Sequence, residues 1–267
     1  LTSTRGAPGV TTSALALTLM WPRSAILVEA DVSGSSSIKA GHFRGQLGAR
    51  PNIGQLVVAH RGGNLDIDTL LEAGIVFPLN PDRRFVPGMA TAAQREDLTT
   101  GFWMGLAQAL TAMTRRDGVD VIIDAGRLGM TNAPTPLLDA ADLIAVVSRT
   151  RLDDAVSVTA NAALLRGATD VAVDHVGLVL VGEGRPVRGQ FFTERTGLPV
   201  WASLAFDPAT AEQLCGGQEV RSARKLELSP LMRSVRSAIT ELEVVAARRR
   251  ELLGRAPSTA GRGVRRK

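Results

Sequence analysis

The sequence predicts an α/β domain built on a mostly parallel, twisted sheet with helices on both faces. Three observations carry that expectation. Short apolar runs without polar alternation recur along the 267 residues, as strands covered on both faces require. Helical stretches separate them, and strands alternating with helices argue for parallel crossovers. A glycine-bearing turn, "STRGAPGVTT" from Ser3 to Thr12, stands where a first strand would hand over to a first helix.

Taken in order, "SAILVEAD" (24–31), "RRFVPG" (83–88), "VDVIIDAG" (119–126), "DLIAVVS" (142–148), "HVGLVLVG" (175–182) and "LPVWASL" (198–204) read as buried strands. Helices are expected over 11–20, 65–72, 98–116, 152–166, 188–196 and 208–214. In the third of these, Phe102, Trp103, Leu106 and Leu110 are expected to face the core. A longer helix is expected over 229–253, where Leu231, Val235, Ile239, Leu242, Val245 and Leu252 fall near one face. No internal repeat or interior linker appears, so residues 1–253 read as one domain. After Gly254, "RAPSTAGRGVRRK" has no apolar period and reads as a disordered tail. A strand opening at Leu1 would be very short, so residues are expected to precede it.

Composition narrows the class. An apolar content of 45% suits a globular core, and the uninterrupted apolar runs fall well short of the roughly 18 residues a membrane span needs. No leader pattern opens the chain. A single cysteine, Cys215, excludes an intramolecular disulfide framework and makes a reducing cytoplasm the expected setting. The net charge of +5 is unevenly spread. The last twenty residues hold eight basic residues against Glu251, a segment charge of +7, which leaves −2 for the rest. The chain has only three lysines, Lys39, Lys225 and Lys267, and none lies near the glycine loop. His42, His60 and His175 lack metal-ligand spacing, and no Ser-His-Asp or Cys-His arrangement is supported.

The chemistry concentrates at strand ends. Gly6 and Gly9 allow backbone N–H groups to close around phosphates at a helix N-terminus, while Pro8 stiffens the turn and removes one donor. Thr11 and Thr12 can offer hydroxyls to a magnesium ion and a phosphate. A plain strand-to-helix turn with a threonine cap explains the loop equally well by itself. Two further elements favour the phosphate reading. Glu29 and Asp31 end one buried strand, and Asp124 ends another, where a carboxylate can organise a magnesium shell.

These motifs resemble the MinD/ParA branch of P-loop ATPases, whose loop reads K-G-G-x-G-K-[ST]-T. "RGAPGVTT", Arg5 to Thr12, matches it in length, with Ala7 at the middle glycine and Val10 at the phosphate-binding lysine. The resemblance puts Arg5 at the signature lysine, which reaches a partner's nucleotide across a dimer. "EAD" at 29–31 resembles the family's D-A-D, which gives Asp31 the task of positioning the attacking water. "DAGRLG" at 124–129 resembles D-T-P-P-G but lacks both prolines, and "FDP" at 206–208 lies near where the family's loop meets the base. "GAPGVTT" further resembles actinobacterial MinD-like variants, including septum-site-determining-like and pilus-assembly relatives.

The resemblance therefore implies ATP or ADP with Mg²⁺, cradled by Gly6, Ala7, Pro8, Gly9, Val10, Thr11 and Thr12. Thr11 and Asp124 would hold the metal, Asp207 and Pro208 would meet the base, and Asp31 and Arg5 would serve hydrolysis. Without the lysine, binding is expected to weaken and hydrolysis to be weak or absent. The implied role is a positioning or assembly factor for septum, chromosome or pilus and secretion machinery, acting as a homodimer with a protein partner. The alternative is a working ATPase whose nucleotide-gated dimer binds membrane or DNA and uses Arg5 in trans. The final helix and basic tail fit two descriptions: a helix packed on the sheet with a solubilising tail, or a peripheral contact with anionic membrane or DNA.

Overall fold

The computed structural model describes residues 1–6, 9–33, 36–47, 51–78, 80–89, 92–167, 175–220, 222–252 and 254. Ala7 and Pro8 of the loop, and the basic tail from Arg255 onward, lie outside the described residues.

The chain runs α1 (Val10–Met20), β1 (Ala25–Glu29), α2 (Ser37–Ala40), α3 (Ile53–Arg61), α4 (Ile67–Ala73), β2 (Ile75–Phe77) and β3 (Asn80–Val86). A 3-10 turn over Ala92–Asp97 leads to α5 (Thr100–Asp117), β4 (Asp120–Asp124), α6 (Thr135–Asp139), β5 (Ile144–Arg149), α7 (Leu152–Gly167) and β6 (Val176–Val181). The remaining elements are α8 (Gly189–Thr196), β7 (Val200–Leu204), α9 (Pro208–Ala211), a π-helical turn over Glu212–Gly216, α10 (Ala223–Glu227) and α11 (Pro230–Leu252).

The strands form two ladders, β2-β3-β1-β4 and β5-β6-β7, parallel except for the β2–β3 pair. Residues 1–3 join them. Thr2 bridges to Val146 and Ser3 to Arg127, both in parallel register. On one side Ala125 N–H donates to Leu1 O at 2.9 Å and Ser3 N–H to Gly126 O at 3.0 Å. On the other, Thr2 N–H donates to Ala145 O at 3.0 Å and Val147 N–H to Thr2 O at 2.8 Å. Three residues thus act as a central strand, and the fold is the mostly parallel α/β architecture that the sequence predicts.

Alternation along β1 assigns its side chains to two layers. Leu27 packs with α1 and α11 through Leu15, Leu17 and Val235, while Ile26 and Val28 pack with α5 through Phe102, Trp103 and Leu106. Both faces are covered, which explains the unbroken apolar run. A third cluster seats α7 and α8 on β5 and β6 through Val158, Leu165 and Phe192.

Most expected elements are present, with boundaries set by caps. The helix expected from Leu65 starts at Ile67, because Asp66 and Thr69 form a reciprocal capping box. The helix expected from Leu98 starts at Thr100, where Thr99 accepts from Phe102 N–H at 3.2 Å. The helix expected over 208–214 breaks after Ala211 and widens into the π-helical turn. In α11, Leu231, Val235, Ile239 and Leu242 are buried as expected, but Leu252, at the end of the helix, is 73% exposed. Periodicity missed α2, α3, α6, α10 and the short edge strand β2. Among the described residues, no helix is long and apolar enough to cross a membrane.

Candidate functional site

A cleft of about 590 Å³ opens at the carboxyl ends of the parallel strands. Its floor is the turn from Ser3 into α1. The Ser3 hydroxyl donates to Arg5 O at 2.7 Å, and Gly9 caps the helix at φ 104°, a left-handed conformation open to glycine. A Cβ at Gly6 or Gly9 would meet nothing within 4 Å, so the backbone here faces open space.

Val10, at the position where a P-loop carries its lysine, is 6% exposed and belongs to the core cluster beneath α1. Its side chain supplies no charge or donor to the cleft. Thr12 is already engaged, since its hydroxyl donates to Cys215 Sγ at 3.6 Å in the π-helical turn. Thr11 lies beside Asp124, and its hydroxyl favours the ionised carboxylate there.

Asp124 is fully buried at the end of β4. Its Oδ1 accepts Gly126 N–H at 3.0 Å, and its Oδ2 has no hydrogen-bond partner among the described residues. Burial raises its pKa, with Asp31 adding to the rise and Thr11 and Gly126 opposing it. Asp31 Oδ1 accepts Ser33 N–H at 2.8 Å. The Asp31 carboxylate packs so closely on Gly126 that a Cβ there would collide with it. Glu29, one pleat back on β1, accepts Gly88 N–H at 2.8 Å. Burial pushes its pKa up to about 7; hydrogen bonds from Ser36 and Gly88 oppose the rise, and Asp124 and Asp31 add to it.

Arg5 turns toward its own chain. Its guanidinium lies 2.7 Å from Asp153 and 3.9 Å from Asp154, in the first turn of α7. Asp207 serves as a double cap. Its Oδ1 accepts Thr210 N–H at 3.1 Å, while Oδ2 accepts the Thr210 hydroxyl at 2.6 Å and Leu231 N–H at 3.4 Å. Burial works against its charge, but these donors prevail and hold its pKa below the usual carboxylate value. Pro208 follows as the first residue of α9.

The structure therefore gathers Arg5, Gly6, Gly9, Val10, Thr11, Thr12, Asp31, Asp207 and Pro208 around one cleft, while Asp124 is buried beside Thr11 and does not line it. It also adds residues to those that sequence reasoning singled out. Arg149 ends β5 and stands 5.8 Å from the ring centre of Phe206, which is 44% exposed. The rule that ligands gather at strand carboxyl ends would have found Arg149. Glu212 also lines the cleft, but its place in the π-helical turn gave no signal in the sequence.

The residues fit a magnesium–phosphate group in part. A buried carboxylate oxygen without a donor, a neighbouring threonine hydroxyl and an open glycine turn are the donors a hard cation and an anion require. The cation expected from α1 is missing. Among the described residues, no three His, Cys, Asp or Glu side chains cluster to hold a metal. Any magnesium here would take much of its shell from phosphate and water.

No protein-family model matches the sequence, and no curated protein matches it. Solved structures do match the fold. The septum site-determining protein MinD of Pyrococcus horikoshii, complexed with Mg-ADP, has a TM-score of 0.67 at 15% identity, covering 93% of this chain and 99% of its own. A ParA family ATPase from Chlorobium tepidum scores 0.69 at 14% identity, covering 90% and 96%. A chain of the MinC:MinD cell division protein complex of Aquifex aeolicus scores 0.66 at 10% identity, covering 97% and 96%. The chain shares the fold of MinD/ParA P-loop ATPases.

Proposed function

We propose that this protein is a MinD/ParA-like positioning or assembly factor whose cleft takes ADP or ATP with magnesium weakly and hydrolyses it slowly or not at all. The observation that carries this reading is the contrast at the start of α1. The glycine turn, Thr11 and the unpartnered Asp124 oxygen keep a phosphate-and-metal cradle, while Val10 is buried where the lysine would stand.

Several features support weak turnover. A bound magnesium ion would neutralise phosphate charge, and Thr11 and Asp124 are the residues that would hold it. Asp31 is available to orient a water molecule at the same strand ends. A lysine's stabilisation of the transferring phosphoryl is missing, and such cationic stabilisation supplies about 10³–10⁵ in rate. Gly6, Gly9 and Thr12 complete the cradle in this reading, with Ala7 and Pro8 between them in sequence. Pro208 and Asp207 border the side on which Phe206 offers a ring to a base.

The neighbouring structures include a septum site-determining protein, a putative plasmid partition protein from Borrelia burgdorferi and a MinC:MinD cell division protein complex. By analogy, this chain would work as a homodimer that recruits a protein partner in septum, chromosome or pilus and secretion machinery. The reading of a working ATPase with Arg5 in trans receives less support, because Arg5 would first have to leave Asp153 and Asp154.

Calorimetric titration of ADP and ATP with magnesium tests the proposal. The expected result is binding with dissociation constants from tens of micromolar to millimolar, and turnover barely above background. Tight binding with fast hydrolysis would sink the scaffold reading, and no binding at millimolar nucleotide would sink the nucleotide reading.

A further inference from the structure

A polyphosphate entering this cleft meets carboxylates at Asp31, Asp207 and Glu212, so it needs a compensating cation. Val10 cannot provide one. Three guanidiniums line the same cleft, and their surroundings differ. Arg5 is held by Asp153 at 2.7 Å and by Asp154 at 3.9 Å. Arg149 is engaged over the Phe206 ring at the wall formed by the ends of β5 and β7. Arg127 is exposed and makes no ion pair, hydrogen bond or ring contact with the described residues through its side chain.

The backbone of Arg127 is nonetheless well fixed. It pairs with Ser3, the last residue before the phosphate turn, and Ser3 bonds on either side of it. Ser3 N–H donates to Gly126 O at 3.0 Å, and Leu128 N–H donates to Ser3 O at 2.8 Å. Gly126 and Gly129 flank this anchor at φ 62° and 75°, turning the chain sharply after Asp124. An unpartnered, five-donor fork therefore stands on a rigid base next to the phosphate turn. Guanidinium matches phosphate oxygens in bidentate geometry and needs no burial to keep its charge.

We propose that Arg127 is the phosphate-gripping cation of this cleft, supplying from the loop after β4 the charge missing at Val10. Its ligand class is a phosphoanhydride, either a nucleoside diphosphate or triphosphate or inorganic pyrophosphate. The nucleotide identity of that ligand rests on the reading given above. The charge then comes from the loop that follows Asp124, so phosphate binding and the position of that loop are coupled.

The test is calorimetry of the full chain and of Arg127→Ala and Arg127→Lys, with Mg-ADP and with magnesium pyrophosphate as separate probes. Arg127 is exposed, so thermal unfolding of the variants should match the wild type and certify that they fold. The expected result is a loss of about ten- to a hundredfold in affinity for both probes in Arg127→Ala, with partial recovery in Arg127→Lys. If pyrophosphate binding depends on Arg127 but ADP binds no better than pyrophosphate, the cation role stands and the nucleotide reading falls. If ADP binds the wild type and Arg127→Ala equally, the cation role is overturned and the nucleotide reading survives. If neither probe binds the wild type at millimolar concentration, both are overturned.

Discussion

Val10 and Glu29 show what single buried side chains contribute in and beside the cleft. Val10 spends its helix-start position on the core, at 6% exposure, instead of on a phosphate. Replacing it by lysine should strengthen Mg-ADP binding by about tenfold, the worth of one charge-assisted hydrogen bond. The same change should lower stability by about 1–2 kcal/mol through lost apolar burial. Calorimetry and urea denaturation of Val10→Lys check the two effects separately. Glu29 makes a pH-dependent contribution. Its folded pKa of about 7 lies above the ordinary 4.5, so the native state holds the proton more tightly than the unfolded chain. Its contribution is full below the ordinary value, falls away as pH rises through about 7, and is flat beyond. Glu29→Gln should therefore flatten the fall in stability between about pH 5 and pH 8, measured by urea midpoints in magnesium-free buffer. The Val10 substitution is legible in the sequence from the motif's spacing alone. The raised pKa of Glu29 is not, because it comes first from burial by surrounding elements, with Asp124 on a neighbouring strand and Asp31 adding to it.

Among the elements, α9 and α11 are tied together by one carboxylate. Asp207 accepts the Thr210 hydroxyl and N–H and also the Leu231 amide at the start of α11. Asp207→Ala should cost about 1 kcal/mol or somewhat more, the value of a lost N-cap, with little change in ADP affinity. Denaturation and calorimetry of the one variant would distinguish a cap from a base contact. The long buried strands and amphipathic helices were readable because each buries a continuous face and so imprints its period on the sequence. The short helices α2, α6 and α10, with four or five residues each, carry too few turns to show one. The edge strand β2 has three residues and a half-exposed face, so its pairing with β3 left no pattern either.

At the scale of the whole molecule, three residues hold the two ladders together. Thr2 is fully buried, and its N–H donates to Ala145 O while its hydroxyl donates to Gly126 O at 3.0 Å. Thr2→Pro removes both donors and leaves the Ala145 carbonyl without its ladder partner. A loss of about 1–3 kcal/mol is expected from that carbonyl alone, read from denaturation midpoints. Because the glycine turn that floors the cleft begins at Ser3, the same variant should disturb the cleft. The order of apolar runs and helices determined the α/β class, and the glycine turn with Val10 at the lysine position of the P-loop pattern was readable because both lie within one short stretch of chain. Only the tertiary structure decided that Arg5 faces Asp153 and Asp154, that Asp207 is a cap and that Arg127 stands unpartnered beside Ser3. Each of those facts depends on which distant segment lies next to a side chain, and the folding of the sheet chooses that neighbour.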